Sequence, residues 1–267
     1  MADKGKTSEQ GRSAVLLLVD GWGVSSDKQS DPLSKAHTPF IDSLVAKYPV
    51  ALLKLPERKL SRQYQEIGSK MADILEAEGM NQLKIAEPDK YTYLALSFNE
   101  NNEKIRKGEE RLMIGTTDED ISRKPALSSL KAADAAIKAL KEDKYALIAV
   151  SLANLDLAAC TKDGETIIRA MTAVDKCIKK IAKTVLDKDS ILFISACRSG
   201  AEKPLSNVVP LVMVSHNWEG RSINAGEIPG SDLSLMRPSA ELKDIAPTLL
   251  ASIGVDHKLS GKKLIHI

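Results

Sequence analysis

Nowhere in its 267 residues does the chain carry a run approaching the ~20 consecutive apolar residues that a membrane-spanning helix requires, so no membrane partner is expected. The opening Met1 to Ser13 is polar and lacks the apolar core of a secretion signal. Cysteine is scarce. Cys160, Cys177 and Cys197 are the whole supply, odd in number and without a Cys-x-x-Cys pair, which argues against a disulfide framework and for a reducing compartment. An excess of either charge is also missing, with 38 basic against 36 acidic residues and no block of one sign, so no nucleic-acid partner is expected. No internal repeat and no linker rich in proline, glycine or serine divides the chain. These absences leave a cytoplasmic protein, with a polar tail over residues 1–13 and one domain over 14–267. The hydrophobic content of 43% is enough for a substantial core. The tail is too polar to fold by itself, so its order would come from a partner.

What is present alternates between strand and helix patterns. Leu16 to Val19 is a short apolar run that reads as a buried strand of a parallel sheet. Thr38 as N-cap and Pro39 at the first helical position open a short helix. Residues 50–55 read as a strand and residues 61–78 as one helix closed by Gly79. Residues 83–86 and 93–96 are strand candidates. The periodicity predicts helices over about 126–140 and 167–185, strands over 146–152, 191–194 and 208–214, and a last helix starting at Asp244. Cys177 lies beside the apolar stripe of the second long helix and reads as packing. The pattern is α/β, a mostly parallel central sheet with helices on both faces.

Two carboxylates stand out. Asp20 ends the first strand in Asp20-Gly21-Trp22-Gly23, and Asp156 follows the strand at 146–152 in Asn154-Leu155-Asp156. In open α/β sheets the carboxyl ends of strands face the ligand crevice, so acids there are placed to hold a metal or a cationic group. The plainer alternative is that Asp20 only starts a turn.

Several stretches together resemble the cofactor-independent phosphoglycerate mutases of the alkaline-phosphatase superfamily. They are LLVDGWG at 17–23, QLKIAEPDKYTY at 82–93, KGEERLMI at 107–114, ANLDLAACT at 153–161, SNVVPLVMV at 206–214 and ELKDIAPTLLASIG at 241–254, in the family's order. The resemblance implies an alkaline-phosphatase-like sheet. It also implies a two-metal phosphoryl-transfer site with a serine nucleophile and ions held by carboxylates and histidines. Matched position by position, Asp20 and Asp156 are kept, while ligand positions fall on Cys160, Cys197, Arg198 and Pro204. Arginine stays protonated and proline offers no donor atom, so neither can ligate. His37, His216, His257 and His266 match none of the ligand positions. The stretch that would carry the nucleophile and an inserted phosphotransferase domain is replaced by a direct passage from Leu55 to Ser61, where Ser61 reads as a helix cap. Lys90 matches a substrate-contact lysine.

On this reading the chain is expected to be no enzyme, with no catalytic residue, metal or cofactor. It would instead be a structural or binding component of a larger protein assembly, with cytoskeletal association as the narrower expectation. Two alternatives stay open. One is a metal-dependent phosphatase or phosphotransferase rebuilt around zinc on Asp20, Asp156, Cys160 and Cys197. The other is a phosphate-ligand sensor using Lys90, Arg111 and Arg198 as anion contacts. Arg198 is expected to fill the former metal space and neutralise Asp20 or Asp156.

Overall fold

The computed structural model describes residues 12–25, 27–56, 59–68, 70–115, 126–198, 207–223 and 232–265. The tail over 1–11, Pro204 and His266 lie outside the described residues. An eight-stranded sheet runs through the molecule in the order β4-β3-β5-β1-β6-β7-β2-β8. Its strands are β1 (Ala14–Val19), β2 (Val50–Lys54), β3 (Gln82–Ala86), β4 (Glu109–Met113), β5 (Leu147–Leu152), β6 (Ile191–Ser195), β7 (Val208–Val214) and β8 (Pro238–Glu241). Only β7 runs against both neighbours. The centre of the sheet is apolar throughout: every residue of β1 is fully buried, as a strand covered on both faces must be.

The helices are α1 (Pro39–Lys47), α2 (Leu60–Gly68), α3 (Met71–Ala77), α4 (Pro88–Ala95), α5 (Ala126–Lys141), α6 (Asn154–Cys160), α7 (Gly164–Asp187) and α8 (Ile245–Ser252). Helix α7 carries the predicted apolar stripe. Val174, Cys177, Ile178, Ile181 and Val185 are buried, and burial pushes the Cys177 thiol up to about 12. Its Asp175 also caps α1, accepting from the backbone N–H groups of Phe40 at 3.1 Å and Ile41 at 2.8 Å. Thr38, expected in that role, makes no cap to the backbone, and its hydroxyl donates to Asp42 instead.

Two further local expectations are corrected. The helix expected over 61–78 is two helices, α2 and α3, separated at Lys70, whose φ of 58° is left-handed. The break lets Gly68 lie against the backbone of Phe98, so closely that an added Cβ would sit 2.1 Å from the Phe98 carbonyl oxygen. The strand expected over 93–96 is the end of α4 and the turn after it. Pro88 at the first helical position is the start signal, and it outweighs the apolar run. The edge strands β4 and β8, Glu-Glu-Arg-Leu-Met and Pro-Ser-Ala-Glu, carry no alternating apolar pattern that would mark them as strands.

Candidate functional site

At the carboxyl end of β1 the chain turns through Gly21, whose φ of +99° only glycine adopts without strain. A Cβ there would stand 3.0 Å from the Asp156 backbone nitrogen and 3.1 Å from the Leu155 carbonyl carbon. This close approach sets Asp20 and the start of α6 side by side, and the Gly21 N–H donates to the Arg198 carbonyl at 2.9 Å. Gly21→Ala is therefore expected to lower stability by about 1–3 kcal/mol, read from urea unfolding. A loss under a few tenths of a kcal/mol would mean that the turn yields freely.

Asp20 and Asp156 do meet. Between them stands Lys90, delivered by the first turns of α4. Its Nζ lies 2.7 Å from Asp156 Oδ2 and 3.1 Å from Asp20 Oδ2, and its side chain is only 3% exposed. Burial alone would lower the lysine's pKa, but the two carboxylates outweigh it and the net direction is upward. The remaining contacts of Asp20 come from neutral donors. Tyr64 Oη of α2 donates to Oδ2 at 2.7 Å, and the Cys197 backbone N–H donates to Oδ1 at 2.9 Å. Tyr64 also shares a 2.7 Å hydrogen bond with Ser151 Oγ and stacks on Tyr93, with ring centroids 5.7 Å apart. Burial, reinforced by the Asp20 charge, pushes the Tyr64 phenol and the Cys197 thiol well above their ordinary values, so both stay protonated and neutral.

Glu87 lies immediately before α4. Its carboxylate accepts from Ser128 Oγ at 2.8 Å, Ser129 Oγ at 2.9 Å and the Ala153 N–H at 3.2 Å. It thereby ties together the starts of the helices that carry Lys90 and Asp156. Burial raises its pKa despite those three donors.

Arg198, expected in the centre, stands at its rim. Its side chain is 53% exposed and its Nη1 is 3.6 Å from Asp156 Oδ1, beyond hydrogen-bonding reach. The central position belongs to Lys90, whose buried side chain brings the ammonium from α4 to both carboxylates. Arg111 belongs to a different cluster on β4, where its Nε donates to Glu109 at 2.7 Å, so the three anion-contact candidates do not line one pocket with free donors. Cys160 ends α6 in an exposed position, while Cys197 is buried. Of the histidines, His37 is exposed, and His216 and His257 bond to backbone carbonyls of Leu186 and Pro247.

The ions that the resemblance implies do not fit these side chains. Among the described residues no group of three or more His, Cys, Asp or Glu could hold a metal. The space between the two acids is taken by an ammonium, and the Cys197 sulfur beside Asp20 is held as a thiol. Tyr64, Ser151 and Glu87 complete the site without being part of the residue set that the sequence points to. Only Glu87 carried a signal, the Glu-Pro-Asp that opens α4.

Comparison with known proteins places the chain. The metalloenzyme superfamily profile matches residues 12–257. The 2,3-bisphosphoglycerate-independent phosphoglycerate mutase of Clostridium perfringens is 33% identical over 199 residues, covering 70% of this chain and 36% of that protein. Its counterpart in Clostridium beijerinckii is 30% identical over 216 residues, covering 75% and 40%. The chain thus spans less than half the length of these relatives. Among solved structures, phosphoglycerate mutase of Leishmania mexicana aligns with a TM-score of 0.57 at 19% identity, over 70% of this chain and 37% of that one. An alkaline phosphatase superfamily protein of Vibrio parahaemolyticus aligns with a TM-score of 0.67 at 14% identity, over 96% and 70%. These two support the fold expected from the sequence. The relatives overturn the expectation that the chain is no enzyme: proteins about one-third identical over most of its length are named as mutases, and the kinship is with an enzyme family. From the profile match and these relatives together, the chain belongs to the metalloenzyme superfamily, as a phosphoglycerate-mutase-like member with the alkaline-phosphatase fold.

Proposed function

We propose that this phosphoglycerate-mutase-like protein works as a component of a larger protein assembly, docking through the β4 edge of its sheet. One observation carries the reading. Of the four large apolar side chains left exposed among the described residues, two lie in β4, Leu112 at 41% and Met113 at 55%, and a third, Ile105 at 58%, lies in the segment that leads into it. Leu112 and Met113 are consecutive in a strand and so point to opposite faces, which means that the end of β4 projects past the cover on both sides. Among the described residues β4 pairs only with β3. The charges of the edge are already matched, Glu110 by Lys144 and Tyr145, and Arg111 by Glu109. What remains for a partner is a row of backbone groups and an apolar tip, the features by which a sheet edge accepts an extended segment of another protein.

A photo-crosslinking residue at position 112 tests this in cells, with position 183 on the exposed face of α7 as control. A protein adduct at 112, absent at 183 and lost in Met113→Lys, is the expected result. Equal adducts at both positions would sink the reading.

A second reading follows from the relatives' names. Phosphoryl transfer on a phosphoglycerate-like substrate would put Asp20 and Asp156 in the reacting centre, and it predicts turnover that falls in Asp20→Asn. The two readings are independent, because β4 and the acids lie on separate parts of the sheet.

A further inference from the structure

We propose that Lys90 is a tethered substitute for the metal of this superfamily: its ammonium, and no divalent ion, holds Asp20 and Asp156 together, and vacating it opens the position to an ion. The geometry is that of a cation site with the cation built in. The ammonium donates to Asp156 at 2.7 Å and pairs with Asp20 at 3.1 Å, and Nζ lies 5.8 Å from the ring centroid of Tyr93. The side chain is almost fully buried, so solvent contributes little to balancing the acids.

An incoming ion would meet three obstacles. Each oxygen of Asp20 already accepts from a protein donor, Oδ1 from the Cys197 N–H and Oδ2 from Tyr64, and Oδ2 is also paired with the Lys90 ammonium. The hard divalent ions take six or more oxygen ligands, and the four-coordinate ones take several anionic or neutral donors; here only two carboxylates converge. An ion beside the ammonium would also sit a few ångströms from a like charge, in surroundings that screen it poorly. Removing the lysine beyond Cβ lifts the like-charge obstacle and frees the sides of Asp20 Oδ2 and Asp156 Oδ2 that face it, so that water can supply the ligands the protein lacks. The vacated space is flanked by two buried carboxylates and is wider than a bare ion, so a hydrated ion fits it.

The test uses the full chain, stripped with chelator, and Mn²⁺ alone as the probe. Melting temperature and Mn²⁺ electron paramagnetic resonance are followed for the wild type, Lys90→Ala and Lys90→Ala/Asp20→Asn. The wild type should show no saturable binding and no shift. Lys90→Ala should melt lower and regain roughly 5–10 °C at Mn²⁺ about a hundredfold above its Kd. The double variant should lose that response. Saturable Mn²⁺ binding by the wild type that disappears in Asp20→Asn would overturn the proposal, and this measurement stands even if Lys90→Ala fails to fold. A folded Lys90→Ala that ignores Mn²⁺ would overturn it equally.

Discussion

Asp20→Ala is expected to remove about 3–5 kcal/mol of stability, one of the two largest losses for a single substitution in this chain. Three groups depend on that carboxylate and all are buried. Lys90 would keep only Asp156, Tyr64 Oη would keep only Ser151, and the Cys197 N–H would have no acceptor. Buried donors left without partners cost about 1–3 kcal/mol each, and a half-compensated ammonium costs more. Asp20→Asn preserves the shape and one acceptor oxygen, so it isolates the charge. A cycle with Lys90→Met then measures the pair: each single change strands a charge, while the double variant strands neither at this contact. The stability loss of the double variant, from urea unfolding, should be smaller than the sum of the two single losses, with a coupling of at least about 1.5 kcal/mol. Additive losses would show that Lys90 draws its stability from Asp156 alone.

The two acids were legible because their positions follow from one rule, that strand ends in an open α/β sheet converge on a crevice. Both sit where an apolar run stops. The cation was misassigned for a physical reason. Arg198 stands at the position the resemblance assigns to a ligand, but which side chain fills the space depends on packing, and the buried Lys90 of α4 fills it while Arg198 stays half-exposed. That helix was itself hidden. Tyr93 to Leu96 is apolar enough to pass for a strand, and the helix shows only in Pro88 and in the i, i+4 pair Lys90 and Leu94, both buried on one face. Tyr64 and Ser151 could not be singled out, because an ordinary helix residue and an ordinary strand residue acquire their role only through the hydrogen bond that joins them across the fold. The edge strands escaped for a related reason. Glu109 to Met113 mixes charge and apolar residues, since one edge of it makes a polar network while its tip faces outward.

That network supplies the second large effect. Glu109 is buried and accepts from Lys84 Nζ at 3.0 Å, Arg111 Nε at 2.7 Å, the Arg106 N–H at 3.0 Å, and Asn99 Nδ2 at 3.0 Å. Burial works against its charge, but these donors prevail and hold its pKa below the ordinary value. Glu109→Ala would leave Lys84 without a counter-charge and should lose about 3–5 kcal/mol. Lys84→Met removes the cation that is hardest to bury and leaves Glu109 its other donors, so its loss should be under about 2 kcal/mol. The two also differ in pH dependence. Burial, only partly offset by Glu109, lowers the Lys84 pKa from 10.5 to about 8. Below pH ~8 the lysine is charged in both states and its full desolvation penalty persists. Between about 8 and 10.5 the unfolded chain binds the proton that the native protein has released, so stability rises with pH, by up to roughly 3 kcal/mol. Glu109 acts at the other end: its contribution is present above about pH 4.5 and is lost as the pH falls through its lowered native value. Urea midpoints of the wild type and Lys84→Met from pH 7 to 10.5 decide the matter. The wild type should gain on the variant across that window, and parallel curves would mean that Lys84 keeps its proton throughout.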